Sequence, residues 1–408
     1  MFWTISIPTL VRENFCSVIR GSVGTAERVC ETMTTSSRRD FLGIAAAGSA
    51  LAASGVFSSG NSAAFAENSQ AGETGGLYVP PVKFGVGGVP LGNEFEVVSD
   101  EDAYQTLEAA WNAGVRYYDV APWYGLGLAE RRYGNFLHNK TRDEYVLSSK
   151  VGKLLKASPQ NDAKANFPFS PSPNNVIFDY TADGVRRSIE DSLQRMGVSR
   201  LDIAFVHDLS PDNKLLPTSW QEQFEIALEG AFPALSGMRE EGIIKGWGIG
   251  VNTPEPILRV MQEADPDVCL LASQYSLIEH ANALNNIFPV ARQRKVTFVI
   301  GTALNAGFIS GSPRYNYGKT SWNIPHHYIE KREKLRAVAA QFGADLRTAA
   351  LQFSAAPDVA AALLVGAHTE AQVLANVSSM QATLPPEFWV ELKRHNLIEQ
   401  NAPTPAAV

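Results

Sequence analysis

A chain of 408 residues that is 45% hydrophobic and 10% aromatic has the apolar content for a sizeable core. Its formal charge of -7 and the lack of a basic stripe exclude a phosphate backbone as main partner, so no nucleic acid is expected. The length permits one large α/β barrel, about 250 residues plus insertions, or two smaller domains.

Residues 1–66 read as an extension outside the fold, and residues 67–408 as one folded domain. Ser37-Arg38-Arg39-Asp40-Phe41-Leu42 matches the twin-arginine export pattern, and an Ala, Gly and Ser-rich apolar stretch follows from Gly43 to Phe57. Ala64-Phe65-Ala66 offers a small-x-small cleavage pattern, which leaves Glu67 as the expected mature start. The apolar stretch is short and weakly hydrophobic, so a cleaved signal is expected rather than a stable membrane span. Such a signal normally opens with its basic region, so Met33 is the expected initiator. The export machinery is then a partner and the periplasm the expected location, with the cytoplasm as the alternative. Cys16 and Cys30 precede the signal, and Cys269 alone is left in the mature chain, so no internal disulfide is expected.

The fold is expected to begin with a strand at Val82–Val86, after a polar linker. Asp100–Ala113 reads as a helix capped by Ser99 or Asp100 and stopped before Gly114. Val115–Asp119 is a strand; Pro122 and Gly125 then break the chain, placing Tyr124 on a strand-to-helix loop. A helix over Gly127–Leu137 leads to a strand ending at Lys150. Gly152–Asp179 carries Pro159, Pro168, Pro171 and Pro173 without periodicity and reads as a long loop over a pocket mouth. In Tyr180–Gly197, Val185, Ile189, Leu193 and Met196 form one apolar helical stripe, with Gly197 as the stop. Leu201–His207 is a strand.

The alternation continues with a helix over Phe224–Glu241, a strand over Ile243–Gly250 and a helix over Pro254–Ala264. Strands at Val268–Ser273, Val296–Thr302 and Ala360–Val365 follow, separated by helices over Leu284–Gln293, Tyr328–Phe342 and Leu346–Phe353. Helices from Glu370 and Pro386 close the chain. Eight near-continuously apolar strands alternating with helices predict a single (β/α)8 barrel, with a doubly wound sheet as the alternative.

In that arrangement Asp119, Lys150 and His207 each end a strand, with Tyr124 on the loop beyond the first. A barrel of parallel strands places its chemistry at these ends. A buried ammonium is costly unless paired, and Asp119 is the expected partner of Lys150. A cation near a phenol favours its ionised form, so Tyr124 is the expected acid/base. Trp123 reads either as a stacking platform for a sugar or as ordinary loop packing. No His/Cys cluster has metal-ligand spacing, so no metal is expected. A hydrolase reading fails because Gly307-Phe308-Ile309-Ser310-Gly311 has its serine misplaced for a nucleophile elbow.

In order and approximate spacing, Asp119, Tyr124, Lys150 and His207 resemble the catalytic tetrad of the aldo-keto reductases. Asp119–Gly125, Tyr180–Gly197 and Ile249–Asn252 are most similar to the branch of aldose 1-dehydrogenases (D-threo-aldose, L-fucose, D-galactose) and pyridoxal 4-dehydrogenases. The resemblance covers nearly the whole chain from about residue 79. It implies a (β/α)8 fold, an NAD or NADP cofactor, and hydride transfer between an alcohol or lactol and a carbonyl or lactone. In it His207 orients the reacting oxygen. The alternative is a cofactor-binding sensor or subunit with little turnover. Twin-arginine export carries folded proteins, which suits an enzyme that takes up its cofactor before export.

The resemblance also assigns a cofactor path. Asn252 and Gln274 would hold the nicotinamide amide, and Tyr275 would stack on its ring; Val251 stands where relatives often carry Ser. In Thr302-Ala303-Leu304-Asn305-Ala306-Gly307, small residues would admit the pyrophosphate, and Arg314, Tyr315, Tyr317 and Lys319 follow on a loop able to close over it. Lys319 reads rather as solvated surface. Gly366, Ala367, His368, Gln372 and Asn376 would face the adenosine end, where a helix N-terminus helps hold an anion. Relatives selecting NADP present Lys or Arg at the positions of Gly366 and Gln372. Their absence here implies dual use or a lean toward NAD.

Overall fold

The structure is a computed structural model that describes residues 77–160, 166–316 and 323–405. The export and cleavage patterns, Met33, Tyr317 and Lys319 lie outside the described residues.

Ten strands are found among the described residues: β1 (Phe84–Gly87), β2 (Tyr117–Asp119), β3 (Val146–Val151), β4 (Lys153–Ala157), β5 (Asn174–Phe178), β6 (Ile203–His207), β7 (Gly246–Val251), β8 (Val268–Ala272), β9 (Thr297–Gly301) and β10 (Ala360–Gly366). The order β1-β10-β9-β8-β7-β6-β3-β2 closes into a barrel in which every neighbouring pair is parallel. The helices around it are α1 (Asp100–Asn112), α2 (Leu128–Leu137), α3 (Ala182–Met196), α4 (Trp220–Glu229), α5 (Ala231–Glu240), α6 (Pro254–Glu263), α7 (Phe288–Arg294), α8 (His326–Gln341), α9 (Leu346–Ala355), α10 (Glu370–Gln381) and α11 (Pro386–Arg394). The (β/α)8 expectation holds.

Local chemistry sets the helix ends. Ser99 Oγ accepts from the N–H of Asp102, and Asp100, Glu101 and Asp102 complement the positive end of α1. Thr181 caps α3 in the same way, and Gly197, at φ 65°, ends it by donating to Leu193 O. Arg132 of α2 reaches back to donate to the carbonyls of Leu91 and Val98 and to Asn93 Oδ1, fixing the loop after β1.

The two-residue period of the strands sorts side chains between two cores. Tyr117, Val146, Ile203, Phe205, Val268, Leu270, Val299, Ala362 and Leu364 fill the barrel. Their strand neighbours, such as Tyr118, Leu147, Ala204, Cys269 and Ile300, pack outward against the helices. Burial pushes the Cys269 thiol up to about 12.

Three expectations are corrected. The long segment after β3 is not all loop, because β4 pairs antiparallel with β5, from Lys153 opposite Phe178 to Ala157 opposite Asn174. Its two arms are separated by a proline-rich stretch that hid the pairing. The helix expected over Phe224–Glu241 breaks at Gly230, which lies so close to α3 that a Cβ there would be 2.9 Å from Ala182 N. The helix expected from Leu284 opens with a π-turn over Ala283–Ile287 before α7, where Pro289 falls in the first turn and has no N–H to give. Among the described residues no helix is long and apolar enough to cross a membrane.

Candidate active site

Asp119, Lys150 and His207 share the parity of Tyr117, Val146, Ile203 and Phe205, so all three point into the barrel at the carboxyl ends of their strands. β2, β3 and β6 are consecutive in the barrel, which makes the three side chains neighbours. Lys150 Nζ lies 2.8 Å from Asp119 Oδ2 and 3.1 Å from the Val120 carbonyl, and both side chains are buried. Ser148 donates to the other carboxylate oxygen, Oδ1, at 2.6 Å. A buried ion pair is tolerable only when its remaining hydrogen-bonding capacity is met, and these contacts meet it.

Tyr124 reaches this pair from the loop after β2. The loop is pressed against the loop after β1: a Cβ on Gly92 would lie 2.6 Å from the carbonyl carbon of Tyr124, and one on Gly125 would lie 2.3 Å from Gly92 O. Gly125 has φ 64°, so both sterics and conformation call for glycine there. Ser170 and Ser172 donate to the carbonyls of Gly125 and Leu126, tying the segment between β4 and β5 to the same loop. Held this way, the Tyr124 ring has Lys150 Nζ 4.6 Å from its centroid and the His207 ring edge-on at 5.8 Å.

Burial, reinforced by the positive charges of Lys153 and Lys150, holds the His207 imidazole well below its ordinary range, so it is neutral. The Tyr180 hydroxyl donates to the His207 carbonyl, and His207 Nδ1 is buried without a hydrogen-bond partner among the described residues. His207 Nε2 lies 3.5 Å from Asp208 Oδ2. An ammonium, a phenol and a neutral imidazole therefore converge at one mouth.

The expected cofactor positions form an arc over the ends of β7 to β10. Asn252 Nδ2 approaches Asp212 Oδ2 at 3.3 Å, and Gln274 Nε2 donates to the Asn252 carbonyl at 2.7 Å. Thr302, at φ 61°, accepts through Oγ1 from the N–H of Ser273. Leu304, Ala306 and Gly307 are half-buried, whereas Ala303 and Asn305 are buried; Asn305 Oδ1 has no hydrogen-bond partner among the described residues. Gly366 is exposed, His368 and Gln372 are half-buried, and Ala367 and Asn376 are buried below. His368 Nε2 lies 2.6 Å from Glu96 Oε1, and its N–H donates to Gln372 Oε1.

Tyr275 is a correction. Its ring is fully buried outside the barrel, stacked on Phe353 at 5.1 Å and 3° and packed on Phe288 at 5.0 Å, leaving no face for a ligand. Ala303, Asn305, Ala367 and Asn376, expected along the cofactor path, are buried. The remaining polar arc, half-buried amides at one end and small residues with accessible backbone further along, fits a nicotinamide dinucleotide.

Several participants escaped the sequence reading. Ser148 was signalled only by sharing parity with Lys150. Ser273 carried no signal, because its contact depends on the left-handed turn at Thr302. Lys153, opening β4, and Asp208, just after β6, are joined at 2.5 Å; Arg314, expected on the closing loop, lies over the Phe95 ring at 4.1 Å, beside Glu94. Burial pushes the Glu94 carboxyl up to about 7 against the pull of Arg314.

A closed parallel barrel with an ion-paired lysine, a phenol and a neutral imidazole at its carboxyl mouth is a site for moving a proton to and from oxygen. The chain matches the Aldo/keto reductase family over residues 83–397. It is 34% identical to a D-threo-aldose 1-dehydrogenase of Pseudomonas sp, over 81% of this chain and 97% of that protein. It is 33% identical to a pyridoxal 4-dehydrogenase of Microbacterium luteolum, over 77% and 94% respectively. The solved structure of an aldo-keto reductase from Bacillus halodurans superposes with a TM-score of 0.60 at 20% identity, covering 83% of this chain and 99% of that one. The chain belongs to the aldo/keto reductase family.

Proposed function

We propose that this protein is an NAD(P)-dependent oxidoreductase that interconverts an alcohol or lactol with a carbonyl or lactone on a small aldose-like or aldehyde-like molecule. The observation that carries the proposal is the position of Lys150, bonded to Asp119 on one side and set against the Tyr124 ring on the other. The names of the two relatives, a sugar dehydrogenase and a pyridoxal dehydrogenase, support the substrate class.

In the oxidative direction the Tyr124 oxygen takes the hydroxyl proton of the substrate as the carbonyl forms. Lys150 places a positive charge beside the ring and so stabilises negative charge on the phenol oxygen, and Asp119 balances that charge and holds the ammonium in place. Neutral His207 hydrogen-bonds the reacting oxygen and orients it. A bound dinucleotide would supply the acceptor for the hydride that leaves carbon. Asn252 and Gln274 would hold its amide end, Thr302, Leu304, Ala306 and Gly307 its pyrophosphate, and Gly366, His368 and Gln372 its adenosine end. Reduction runs the same path with Tyr124 as acid.

His368 is engaged with Glu96, and neither Gly366 nor Gln372 offers a cation to a 2'-phosphate. We therefore propose use of both dinucleotides or a lean toward NAD. We also propose twin-arginine export to the periplasm; cell fractionation of the chain and of an Arg38→Lys/Arg39→Lys variant tests it, and equal export of both overturns it.

The test of function is nicotinamide absorbance followed with a panel of aldoses, pyridoxal and simple aldehydes. Turnover by the wild type that disappears in Tyr124→Phe is the expected result. Dinucleotide binding without turnover on any substrate would instead favour a sensor or subunit.

A further inference from the structure

A second buried ammonium lies beside the first, and the chemistry above does not use it. Lys153, the first residue of β4, is almost wholly shielded, with 3% of its side chain exposed, yet its Nζ is 2.5 Å from Asp208 Oδ2 and 4.5 Å from the centroid of the Trp123 ring. Asp208 follows His207 directly and holds φ 46°, a left-handed conformation that few non-glycine residues adopt. That conformation is locked from both sides: Asp208 N–H donates to the Gly250 carbonyl at 2.9 Å, and Asn213 Nδ2 donates to the Asp208 carbonyl at 2.9 Å. The result is a carboxylate pinned between Lys153 and the imidazole that faces the reacting oxygen, with 23% of its side chain still open. Trp123, half-buried and braced by Phe167 at 5.0 Å, lies against the same Lys153 ammonium, and Asp212 approaches Asn252.

Resting on the oxidoreductase reading, we propose that Asp208, positioned by Lys153 and flanked by Trp123, is a specificity-determining residue that accepts hydrogen bonds from substrate hydroxyls next to the reacting carbon. The site therefore selects neutral polyhydroxylated substrates. Three features point this way. A carboxylate held rigidly at a pocket mouth is matched by O–H donors, and a carbonyl compound without hydroxyls would desolvate it and return nothing. The adjacent indole offers an apolar face for the C–H side of a sugar. Among the described residues both buried ammonium groups at the mouth are already paired, Lys150 with Asp119 and Lys153 with Asp208, so neither is free to hold a phosphorylated or acidic substrate. Lys153 acts through Asp208 and is a positioning residue.

The experiment compares reduction of glyceraldehyde and propanal, which share a carbon skeleton and differ in the two hydroxyls. The wild type is expected to favour glyceraldehyde by at least about 100-fold in kcat/KM. Asp208→Ala is expected to cut that preference by at least about tenfold, chiefly by raising KM for glyceraldehyde. Asp208→Asn, which keeps the shape and an oxygen for Lys153, decides by the same ratio if the Ala variant does not fold. Equal losses on both substrates, or no loss on either, overturn the assignment. A wild type that reduces both aldehydes equally well, or propanal alone, overturns it too while leaving the oxidoreductase reading intact. A wild type that reduces neither and fails across the panel of aldoses and aldehydes overturns both.

Discussion

Lys150 Nζ sits 4.6 Å from the centroid of the Tyr124 ring while holding Asp119 Oδ2 at 2.8 Å, so one buried charge joins the proposed acid/base to the carboxylate that balances it. Removing the phenol oxygen alone separates chemistry from binding. Tyr124→Phe is expected to lower kcat by about 10²- to 10⁴-fold, the usual contribution of a positioned acid/base. Quenching of protein fluorescence by the dinucleotide should be unchanged; full activity in this variant removes Tyr124 from the mechanism.

Asp119→Ala leaves Lys150 buried without its counter-charge. Breaking a buried pair from one side costs about 3–5 kcal/mol, and urea denaturation should show a loss of that order. Ser148→Ala removes the hydrogen bond to Asp119 Oδ1 and leaves the ion pair in place, with an expected cost of about 1–3 kcal/mol. A smaller loss in Asp119→Ala than in Ser148→Ala would mean that the pair is not buried as described.

Gly125 tests how tightly Tyr124 is held. An added Cβ would meet Gly92 O at 2.3 Å, so Gly125→Ala must push the two loops apart. Displacement near 1 Å costs about 100-fold in rate, and a fall in kcat of that order is expected. Gly197→Ala is the control: Gly197 also has positive φ, at 65°, but nothing lies within 4 Å of the added Cβ. It should cost about 1 kcal/mol of stability and leave kcat intact.

Stability should fall in acid partly through His280. Burial, helped by Lys331, pushes its pKa down to about 4, while Nδ1 lies 2.9 Å from the Ser276 carbonyl and Nε2 accepts from Glu399 N–H at 3.0 Å. The folded imidazole is neutral and the unfolded one takes a proton below about 6.5. Its contribution is therefore complete above that pH and is lost as pH falls toward 4, an effect of about 3 kcal/mol. Denaturant unfolding at pH 7.5 and pH 4.5 measures it, and His280→Asn should shrink the difference between the two.

Dinucleotide choice is open to direct titration. With His368 paired to Glu96 and no cation at Gly366 or Gln372, NAD should bind at least as tightly as NADP. Gln372→Arg should improve NADP binding by about tenfold through a charge-assisted contact with the 2'-phosphate. A wild type with a large preference for NADP, or a His368→Ala variant that alone abolishes NADP binding, overturns the reading.

The barrel and its three strand-end residues are legible from the residue pattern. Eight apolar runs alternating with helices permit little else, and the two-residue period commits Asp119, Lys150 and His207 to the same interior as Tyr117, Val146 and Phe205. These are local properties, readable wherever the strand is known. Tertiary structure alone decided the rest. The pairing of β4 with β5 joins segments separated by a proline-rich stretch, and the break at Gly230 follows from the approach of α3. Tyr275 turned outward onto Phe288 and Phe353 because the chain leaves β8 through a left-handed Ser273, at φ 64°, which no periodicity announces. The contact of Lys153 with Asp208 needs the start of β4 to meet the turn after β6, and such meetings depend on how the barrel closes rather than on residue spacing.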